Sequence, residues 1–220
     1  MKDKGIHGCC GDRIIVDFSK MSLPFELPVD YGDGNLWISM ATIVFNPLFW
    51  NVVARWEYHT HKLTQMAGSA KLGCIVLGIT IFLLGVFRDW RYKMMLETQP
   101  RSIMLHENWI LYLGYLCLVC GTLLTLSSFW RLGFYGTFLG DYFGILQKEK
   151  VTGFPFNIVD NPMYIGSTLN FLGFALLKAC PCGIVHTILV GLVYKVALLF
   201  EEPYTAFIYD KKTTEKAKKL

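Results

Sequence analysis

The chain has 220 residues, a net charge of +4 and a hydrophobic fraction of 53%, and only 17% of its residues are charged. Soluble domains carry about a quarter charged residues, so this composition indicates a membrane protein with little chain left for a separate soluble domain. The modest charge, without a basic stripe interleaved with aromatics, excludes a nucleic-acid partner and favours basic loops that meet anionic lipid.

The apolar residues fall into blocks that predict an all-α polytopic membrane protein with four to five membrane-embedded helices. Residues 1–34 show no hydrophobic period, so we expect a poorly structured leader without a cleavable signal peptide. The expected divisions are this leader, a membrane domain over 35–210 and a basic cytosolic tail over 211–220. The apolar segments within the membrane domain are 35–56, 68–87, 109–130, 163–177 and 182–200.

The first two segments raise two questions: how deeply 35–56 enters the membrane, and where the polar loops lie. Asn46-Pro47 interrupts 35–56, and proline removes a backbone donor. We therefore expect this segment to dip into the membrane and lie at the interface rather than to span with a kink. Polar loops are predicted after each segment; the first contains Arg55, His59, His61 and Lys62, and the second contains Arg88, Arg91, Lys93 and Arg101.

The later segments predict one clear span and a helical hairpin. The run from Trp109 to Trp130 carries no charge, is long enough to cross a core about 30 Å thick, and ends in the residue type favoured at the headgroup level. Only a few residues around Pro181 separate the last two segments, which predicts an antiparallel hairpin. Segment 163–177 is short for a span, so a re-entrant or tilted position is also open.

Basic residues near the spans indicate orientation. The lysine-rich tail predicts a cytosolic C-terminus. The loop 131–160 shares that side if 163–200 forms a hairpin, and lies on the other side if only the last segment spans. The final residues, Lys-Ala-Lys-Lys-Leu, are similar to a dilysine signal for retrieval to the endoplasmic reticulum.

Two acidic residues after the last segment are the main candidates for chemistry, because charges next to membrane spans are costly and usually functional. Glu201 and Glu202 precede Pro203, which we expect to end or kink the helix, and carboxylates do not suit a helix C-terminus. Neighbouring side chains point about 100° apart on a helix, so one can face a pocket while the other orients it. The alternative is a solvated helix end.

The start of the hairpin is the second candidate. Asp160 or Asn161 is expected to cap the helix, with Pro162 in its first turn. Tyr164 is then left to line a pocket with the two glutamates if the hairpin closes. A glycine- and aromatic-rich segment at 133–144 predicts an interfacial loop and does not match a phosphate-binding loop.

Other polar or small residues within the spans have simpler interpretations. Gly121 by itself predicts close helix packing. His186 is expected to be a packed histidine rather than a proton acceptor, and Lys195 is expected to pair with Glu202 or to reach towards the interface. The cysteines show neither metal-ligand spacing nor a disulfide pattern, and Cys9-Cys10 are expected to be free rather than acylated. No metal is predicted.

Four blocks of sequence occur in a recognisable order: FNPLFWNVVARWE at 45–57, GTFLGDYFGIL at 136–146, FPFNIVDNPMYIG at 154–166 and VALLFEEPYTAFIY at 196–209. In this order they resemble the phosphatidylethanolamine N-methyltransferase family, which is related to the prenylcysteine carboxyl methyltransferases. The resemblance extends over 37–210. Asp160-Asn161-Pro162 stands where the carboxyl-methylating branch carries Arg-His-Pro, which favours the amine-methylating branch.

The resemblance implies an enzyme of the endoplasmic reticulum and mitochondria-associated membranes that converts phosphatidylethanolamine to phosphatidylcholine. It implies three successive N-methylations through the mono- and dimethyl forms, with S-adenosylmethionine as methyl donor. Two alternatives stay open: an enzyme that accepts only the mono- and dimethylated lipids, and a non-enzymatic multispan scaffold.

The family's donor-binding elements are a Gly-x-Gly in the third span and the glutamate pair. By resemblance, the donor-binding residues are Val119, Cys120, Gly121, Glu201 and Glu202, with valine in place of the first glycine. The residues expected to contact the substrate are Asp141, Tyr142, Asp160, Asn161 and Tyr164, together with Phe143 as part of an aromatic lining. The proton acceptor is not assigned among Asp141, Asp160 and a glutamate.

Overall fold

The structure is a computed structural model that describes residues 28–147 and 151–217. The described residues form six α-helices: α1 (Gly34–Thr60), α2 (Lys62–Ala67), α3 (Ala70–Thr98), α4 (Asn108–Thr137), α5 (Pro162–Leu177) and α6 (Pro181–Ala217). Two 3-10 turns lie at Ile103–Leu105 and Gly140–Phe143. The predicted all-α class is confirmed. Cys9, Cys10 and the last three residues of the tail lie outside the described part of the chain.

The helices α1, α3, α4 and α6 are long and apolar enough to cross a membrane, whereas α5 has only 16 residues. Trp109 and Trp130, near the two ends of the α4 span, have exposed fractions of 65% and 87%, as expected for side chains that face headgroups. The polytopic prediction is therefore confirmed, with α5 as the short fifth helix.

The helix α1 corrects the expectation that the first segment only dips into the membrane. It is continuous over 27 residues and passes through Pro47. Asn46 and Pro47 are buried against the neighbouring helices, as is Ile43 one turn earlier, so packing offsets the backbone donor that proline lacks. Asn51 donates a hydrogen bond from Nδ2 to the carbonyl oxygen of Pro47 at 3.1 Å.

Both predicted polar loops are largely helical, which is a second correction. Arg55 and His59 belong to α1, and Lys62 belongs to α2, so only His61 links the two helices, with a φ of 51°. The second predicted loop lies within α3 except for Arg101. Arg88 is buried there because it donates to Asp89 and to the hydroxyl of Tyr194 on α6.

The helices α4 and α5 pack closely through glycines, as Gly121 predicts. A Cβ atom at Gly121 would lie 2.5 Å from Asn170 Oδ1 and 2.6 Å from the carbonyl oxygen of Gly166. Gly114 and Gly173 meet in the same way nearer the other end of the two helices. The backbones therefore approach at distances that larger residues would prevent.

The predicted hairpin of α5 and α6 is confirmed, but α6 does not end at Pro203. The helix continues to Ala217 with Pro203 inside it. Ile208, beyond the proline, is buried against Ala54 and Cys74, so continuing the helix places an apolar residue in the core. Glu201 and Glu202 consequently lie inside a helix, and the helix-end argument for their importance is wrong.

The ends of the helices lie at two opposite ends of the bundle. The start of α1, the end of α3 and the α5–α6 link lie at one end, which we call the link end; Ser102 there donates from its amide to Ala179. The end of α1, the 3-10 turn at 140–143, the start of α5 and the part of α6 after Pro203 lie at the other, which we call the site end. The loop 131–160 thus shares an end with the basic tail, as a hairpin predicts.

The last residues of the expected leader are attached to the bundle. The amide of Asp30 donates to Gln99 Oε1, and Asp33 caps α1 by accepting from the amide of Asn35. Burial tends to raise the pKa of Asp33, but hydrogen bonds from Thr98, Asn35 and Gln99 outweigh it and lower that pKa below its usual value. The ordered unit therefore begins before residue 35.

Candidate functional site

Glu201 is the centre of a hydrogen-bond cluster at the site end. Its Oε1 accepts from the indole Nε1 of Trp50 and from Asn51 Nδ2, at 2.8 Å for the latter, and its Oε2 accepts from the hydroxyl of Tyr164 at 2.6 Å. Trp50 and Asn51 come from α1 and Tyr164 from α5, so three helices meet at one carboxylate. Glu201 is therefore fixed by donors on both oxygens, which sets the direction in which it can face a ligand.

Glu202 points to the start of α5. Asn161 donates from Nδ2 to Glu202 Oε1 at 2.7 Å, and it adopts a left-handed φ of 55° at the N-cap position. Its side chain makes no capping hydrogen bond, so the capping expectation for Asn161 is wrong. Pro162 does occupy the first turn, as predicted. The hairpin therefore brings its start and both glutamates together at one surface, as the sequence predicts.

A third carboxylate, that of Asp141, lies next to this cluster. Asp141 Oδ2 accepts a hydrogen bond from the hydroxyl of Thr205 at 2.9 Å, and Asp141 interacts electrostatically with Glu201. Tyr142, buried beside it, stacks on Tyr204 with a centroid distance of 5.3 Å and an interplanar angle of 9°. The segment 133–144 is thus partly helical and partly a 3-10 turn, and it closes over α6 one turn after the glutamates.

Arg55 adds a cation to the same region. Its guanidinium lies 4.6 Å from the centroid of Tyr204 and 5.6 Å from that of Phe200. Its Nη2 donates to the carbonyl oxygen of Phe200 at 2.7 Å, directly before Glu201 in the chain. Tyr204 is itself hydrogen-bonded through its hydroxyl to His59 Nε2 at 2.8 Å. Arg55 is therefore held between an aromatic ring and a backbone carbonyl.

Several buried polar atoms around Glu201 have no hydrogen-bond partner: Asn51 Oδ1, Arg55 Nε and the hydroxyl oxygen of Tyr142. Buried polar groups in native proteins are almost always paired, and an unpaired one costs about 1–3 kcal/mol. Asn51 donates to Glu201, Tyr142 interacts with it electrostatically, and Arg55 donates to the carbonyl oxygen of the residue before it, so these unpaired atoms indicate a site that a polar ligand completes. No group of three His, Cys, Asp or Glu residues within the described ranges could hold a metal ion.

Comparison with known proteins identifies the chain's relatives. The family described as phospholipid methyltransferase matches residues 109–212. Phosphatidylethanolamine N-methyltransferase from Rattus norvegicus is 53% identical over 84% of this chain and 94% of its own length. Phosphatidyl-N-methylethanolamine N-methyltransferase from Saccharomyces cerevisiae is 51% identical over 87% and 92%, respectively. The chain belongs to the phospholipid methyltransferase family. No solved structure matches it.

The residues of the third span that we predicted to bind the methyl donor lie apart from the glutamate cluster. Val119 has an exposed fraction of 65%, Cys120 is half-buried, and Gly121 packs on Gly166 of α5. Gly166 and Tyr164 are two positions apart and so point about 200° from each other on α5. Because Tyr164 contacts Glu201, α5 separates Gly121 from that carboxylate. The assignment of these three residues to the donor stays a prediction.

The remaining expected residues divide into those near the cluster and those outside it. Asp160 is exposed just before Asn161, and Phe143 is buried against Gly73 of α3. Lys195 is exposed and forms no ion pair with Glu202 among the described contacts; the partner of Glu202 is Asn161. His186 is buried, with Nδ1 3.0 Å from the carbonyl oxygen of Cys182, as expected for a packed histidine.

The residues that sequence reasoning missed are those supplied by α1 and by the turn after Pro203. Trp50, Asn51, Arg55, Tyr204 and Thr205 all contact the site. Each lies in a block that carries the family resemblance, and Asn51 and Arg55 share a helix face through their i, i+4 spacing. That spacing of polar residues in an apolar segment is the signal that could have identified α1 as part of the site.

Tyr164 packs against Tyr194, whose own position is fixed by polar contacts inside the bundle. The ring of Tyr194 on α6 lies 4.9 Å from that of Tyr164, at 72°. The Tyr194 hydroxyl accepts from Arg88 Nη1 and lies 3.1 Å from the hydroxyl oxygen of Ser167. Arg88 also lies 5.1 Å from the ring of Phe171. The orientation of Tyr164, and through it that of Glu201, thus depends on an arginine inside the bundle.

Proposed function

We propose that this protein is an S-adenosylmethionine-dependent methyltransferase that converts phosphatidylethanolamine to phosphatidylcholine by three successive N-methylations. The observation that carries the proposal is the cluster around Glu201, held at the site end by donors from α1 and α5. It occurs in a chain that is about half identical, over most of its length, to relatives named for methylation of this lipid.

The residues present fit a cationic methyl donor. Glu201, Glu202 and Asp141 provide negative charge, and aromatic rings such as Tyr142 and Tyr164 attract cations through their faces. The unpaired Asn51 Oδ1 can accept a hydrogen bond from an amino or hydroxyl group. We propose that Glu201 and Glu202 bind the donor, and that Tyr164 and Asn161 act by orienting them.

When bound, S-adenosylmethionine supplies a methyl carbon on a sulfonium, which the lipid nitrogen attacks in line as the carbon–sulfur bond breaks. The amine must be neutral when it attacks, because an ammonium has no lone pair. Asp141, Asp160 and a glutamate are the proposed proton acceptors. The rings of Tyr142, Tyr164 and Tyr204 exclude water and accept a head group that grows and loses donors with each methylation.

The proposed location is the endoplasmic reticulum membrane, including the mitochondria-associated membranes. Support comes from the four long apolar helices and from the lysine-rich tail. The part of α6 after Pro203 and the loop 131–160 share the site end, so the proposed cytosolic tail places the glutamate cluster at the cytosolic surface. A water-soluble methyl donor would reach the site from that side.

Donor binding is tested by thermal stabilisation of the purified protein with S-adenosylhomocysteine. The wild type should be stabilised, and Glu202→Gln should reduce both that stabilisation and turnover in lipid-reconstituted enzyme. Glu107→Gln is the matched control, because Glu107 is exposed at the link end. Full donor affinity and turnover in Glu202→Gln would overturn the donor role of the pair, and no stabilisation of the wild type would favour a scaffold.

The third-span assignment needs its own experiment. Val119→Gly restores the glycine of the family pattern and should change donor affinity if this part of α4 contacts the donor. An unchanged affinity would assign the pattern to helix packing, which Gly121 already shows at the α4–α5 contact.

A second function is favoured by one specific finding. The relatives from Saccharomyces cerevisiae and Neurospora crassa, 51% and 50% identical, are named phosphatidyl-N-methylethanolamine N-methyltransferase. An enzyme that starts only from methylated lipids is therefore the alternative. Both functions use the same site and differ in whether the unmethylated amine is accepted.

A further inference from the structure

Two basic side chains at the site end, Arg55 and Lys211, contact aromatic rings rather than carboxylates. The ion pairs formed within 28–147 and 151–217 are Arg88–Asp89 and Lys93–Glu97. Arg55 instead contacts the rings of Phe200 and Tyr204, and Lys211 Nζ lies 5.7 Å from the ring of Tyr58. The ring of Tyr58 in turn packs edge-on against Tyr204 at 5.5 Å. Positive charge is therefore concentrated on one aromatic cluster between α1 and α6.

The position of Arg55 relative to Glu201 is fixed by the helices. Asn51, which donates to Glu201, and Arg55 are four residues apart on α1, a rise of about 6 Å. Arg55 also donates to the carbonyl oxygen of Phe200, the residue before Glu201. Arg55 and the donor to Glu201 are therefore one helical turn apart on the side of α1 that contacts α6.

The guanidinium of Arg55 still has unused hydrogen-bonding capacity. Its Nε is buried without a partner, while Nη2 is held by Phe200. A guanidinium fits the oxygens of a phosphate with two parallel hydrogen bonds and is the side chain best suited to that geometry. Among the described residues, Arg55 forms no ion pair with a carboxylate that would use this capacity. An oxyanion from a ligand is the partner that fits.

We propose that Arg55, assisted by Lys211, binds the phosphodiester of the phospholipid substrate and so directs the lipid amine towards Glu201 and Asp141. His59 acts as a positioning residue, because its hydrogen bond to Tyr204 fixes the ring on which Arg55 lies. The inference rests on the proposed function, since it names which part of the same lipid is held and by which residues. Lipid recognition then depends on a residue of α1 as well as on the two glutamates of α6.

The competing occupant of Arg55 is the carboxylate of the methyl donor, which is also an oxyanion. The two differ in which apparent affinity depends on Arg55. In mixed micelles, Arg55→Gln should raise the KM for phosphatidylethanolamine by about 10-fold or more, as expected for the loss of a charge-assisted hydrogen bond. The KM for the donor and the stabilisation by S-adenosylhomocysteine should stay as in the wild type.

Two further variants make the test specific. Arg55→Lys keeps the charge without the planar fork, so its KM for the lipid should lie between those of the wild type and Arg55→Gln. Lys62→Gln removes an exposed cation at the same end and should leave both KM values unchanged. A change in the KM for the donor alone would assign Arg55 to the donor carboxylate and overturn the inference.

A binding measurement separates this inference from the proposed activity. Phosphatidylethanolamine added to lipid-free detergent micelles should raise the Tm of the wild type more than diacylglycerol, which lacks the phosphate, and this difference should vanish in Arg55→Gln. The result would support the inference even if the wild type transferred no methyl group, in which case only the proposed function fails. Equal stabilisation of wild type and Arg55→Gln by the phospholipid would overturn it.

Discussion

At the scale of single residues, the site is defined by what fixes Glu201. Its two oxygens are occupied by an indole, an amide and a phenol from two helices, so the carboxylate has little rotational freedom. Preorganised charges of this kind act without reorganisation during a reaction. The residues that hold Glu201 should therefore affect turnover through the orientation of its carboxylate, which we propose contacts the donor.

Tyr164→Phe tests this dependence on one hydroxyl. The substitution keeps the ring against Tyr194 but removes the donor to Glu201 Oε2. We expect turnover to fall by about 10-fold, the effect of a lost hydrogen bond to a charged group, with little change in Tm. Tyr112→Phe is the control, because Tyr112 has an exposed fraction of 70%. Equal turnover in both variants would show that Tyr164 does not orient the carboxylate.

The sequence predicts part of this arrangement and misses part of it. The closeness of Tyr164 to the glutamates follows from the hairpin, because a tight connection forces the two helices to be neighbours. Trp50, Asn51 and Arg55 could not be assigned in the same way. Their role depends on which face of α1 meets α6, and an apolar helix in lipid has no strong hydrophobic stripe that fixes that face.

At the scale of elements, the predictions that the structure overturns mostly concern segments that contain a proline. Pro47 and Pro203 both lie inside continuous helices, although proline disfavours a helix interior. Burial of residues on either side of each proline maintains the helix, and this tertiary packing cannot be read from the local sequence. The polar loops predicted after the first two segments failed for a related reason, because Arg88 finds its partner Tyr194 inside the bundle.

The α4–α5 contact gives a prediction about packing. Gly121→Ala would place a Cβ 2.5 Å from Asn170 Oδ1, so we expect a loss of about 1–3 kcal/mol in stability, typical of overpacking. Gly85→Ala on α3 is the matched control, because a Cβ there meets nothing within 4 Å and alanine favours a helix. Thermal unfolding in detergent measures both. A Gly121→Ala variant as stable as Gly85→Ala would contradict the close approach.

The corner between α1 and α2 gives a second prediction about stability. Glu57 is buried, and its two carboxylate oxygens accept from the amides of Leu63 and Thr64, with a further bond from the Thr64 hydroxyl. Glu57→Gln places an amide donor against one of these backbone donors, which should cost about 1–3 kcal/mol. Glu97→Gln, at an exposed ion pair, should cost less than about 1 kcal/mol. Comparable Tm values for the two variants would show that the hydrogen bonds accepted by Glu57 do not stabilise this corner.

At the scale of the whole molecule, the two ends of the bundle give a topology. Taking α1, α3, α4, α5 and α6 in turn, the chain passes between the link end and the site end five times, so the start of α1 and the end of α6 lie at opposite ends. Sequence reasoning left the side of loop 131–160 open, because charge alone does not show whether α5 crosses. The hydrogen bonds that join Asp141 to Thr205 and the amide of Gln147 to the Tyr209 hydroxyl place that loop beside the tail.

This topology predicts which surface residues a reagent can reach in sealed vesicles. Single cysteines introduced as Ile103→Cys at the link end and Ile158→Cys at the site end should react with a membrane-impermeant maleimide from opposite sides; both positions are exposed. The background chain carries serine at positions 9 and 10. With a cytosolic tail, Ile158→Cys should react from the cytosolic side. Reaction of both from the same side would contradict the five-pass arrangement.

Methylation of phosphatidylethanolamine at the site around Glu201 can be measured directly. The direct measurement uses the purified wild-type chain in liposomes that contain unmethylated phosphatidylethanolamine and S-adenosylmethionine labelled on its methyl group. The account predicts label first in the monomethyl lipid, then in the dimethyl lipid and finally in phosphatidylcholine, with Glu201→Gln strongly reducing all three. No labelled lipid from the wild type, or label appearing only when methylated lipids are supplied, would contradict it.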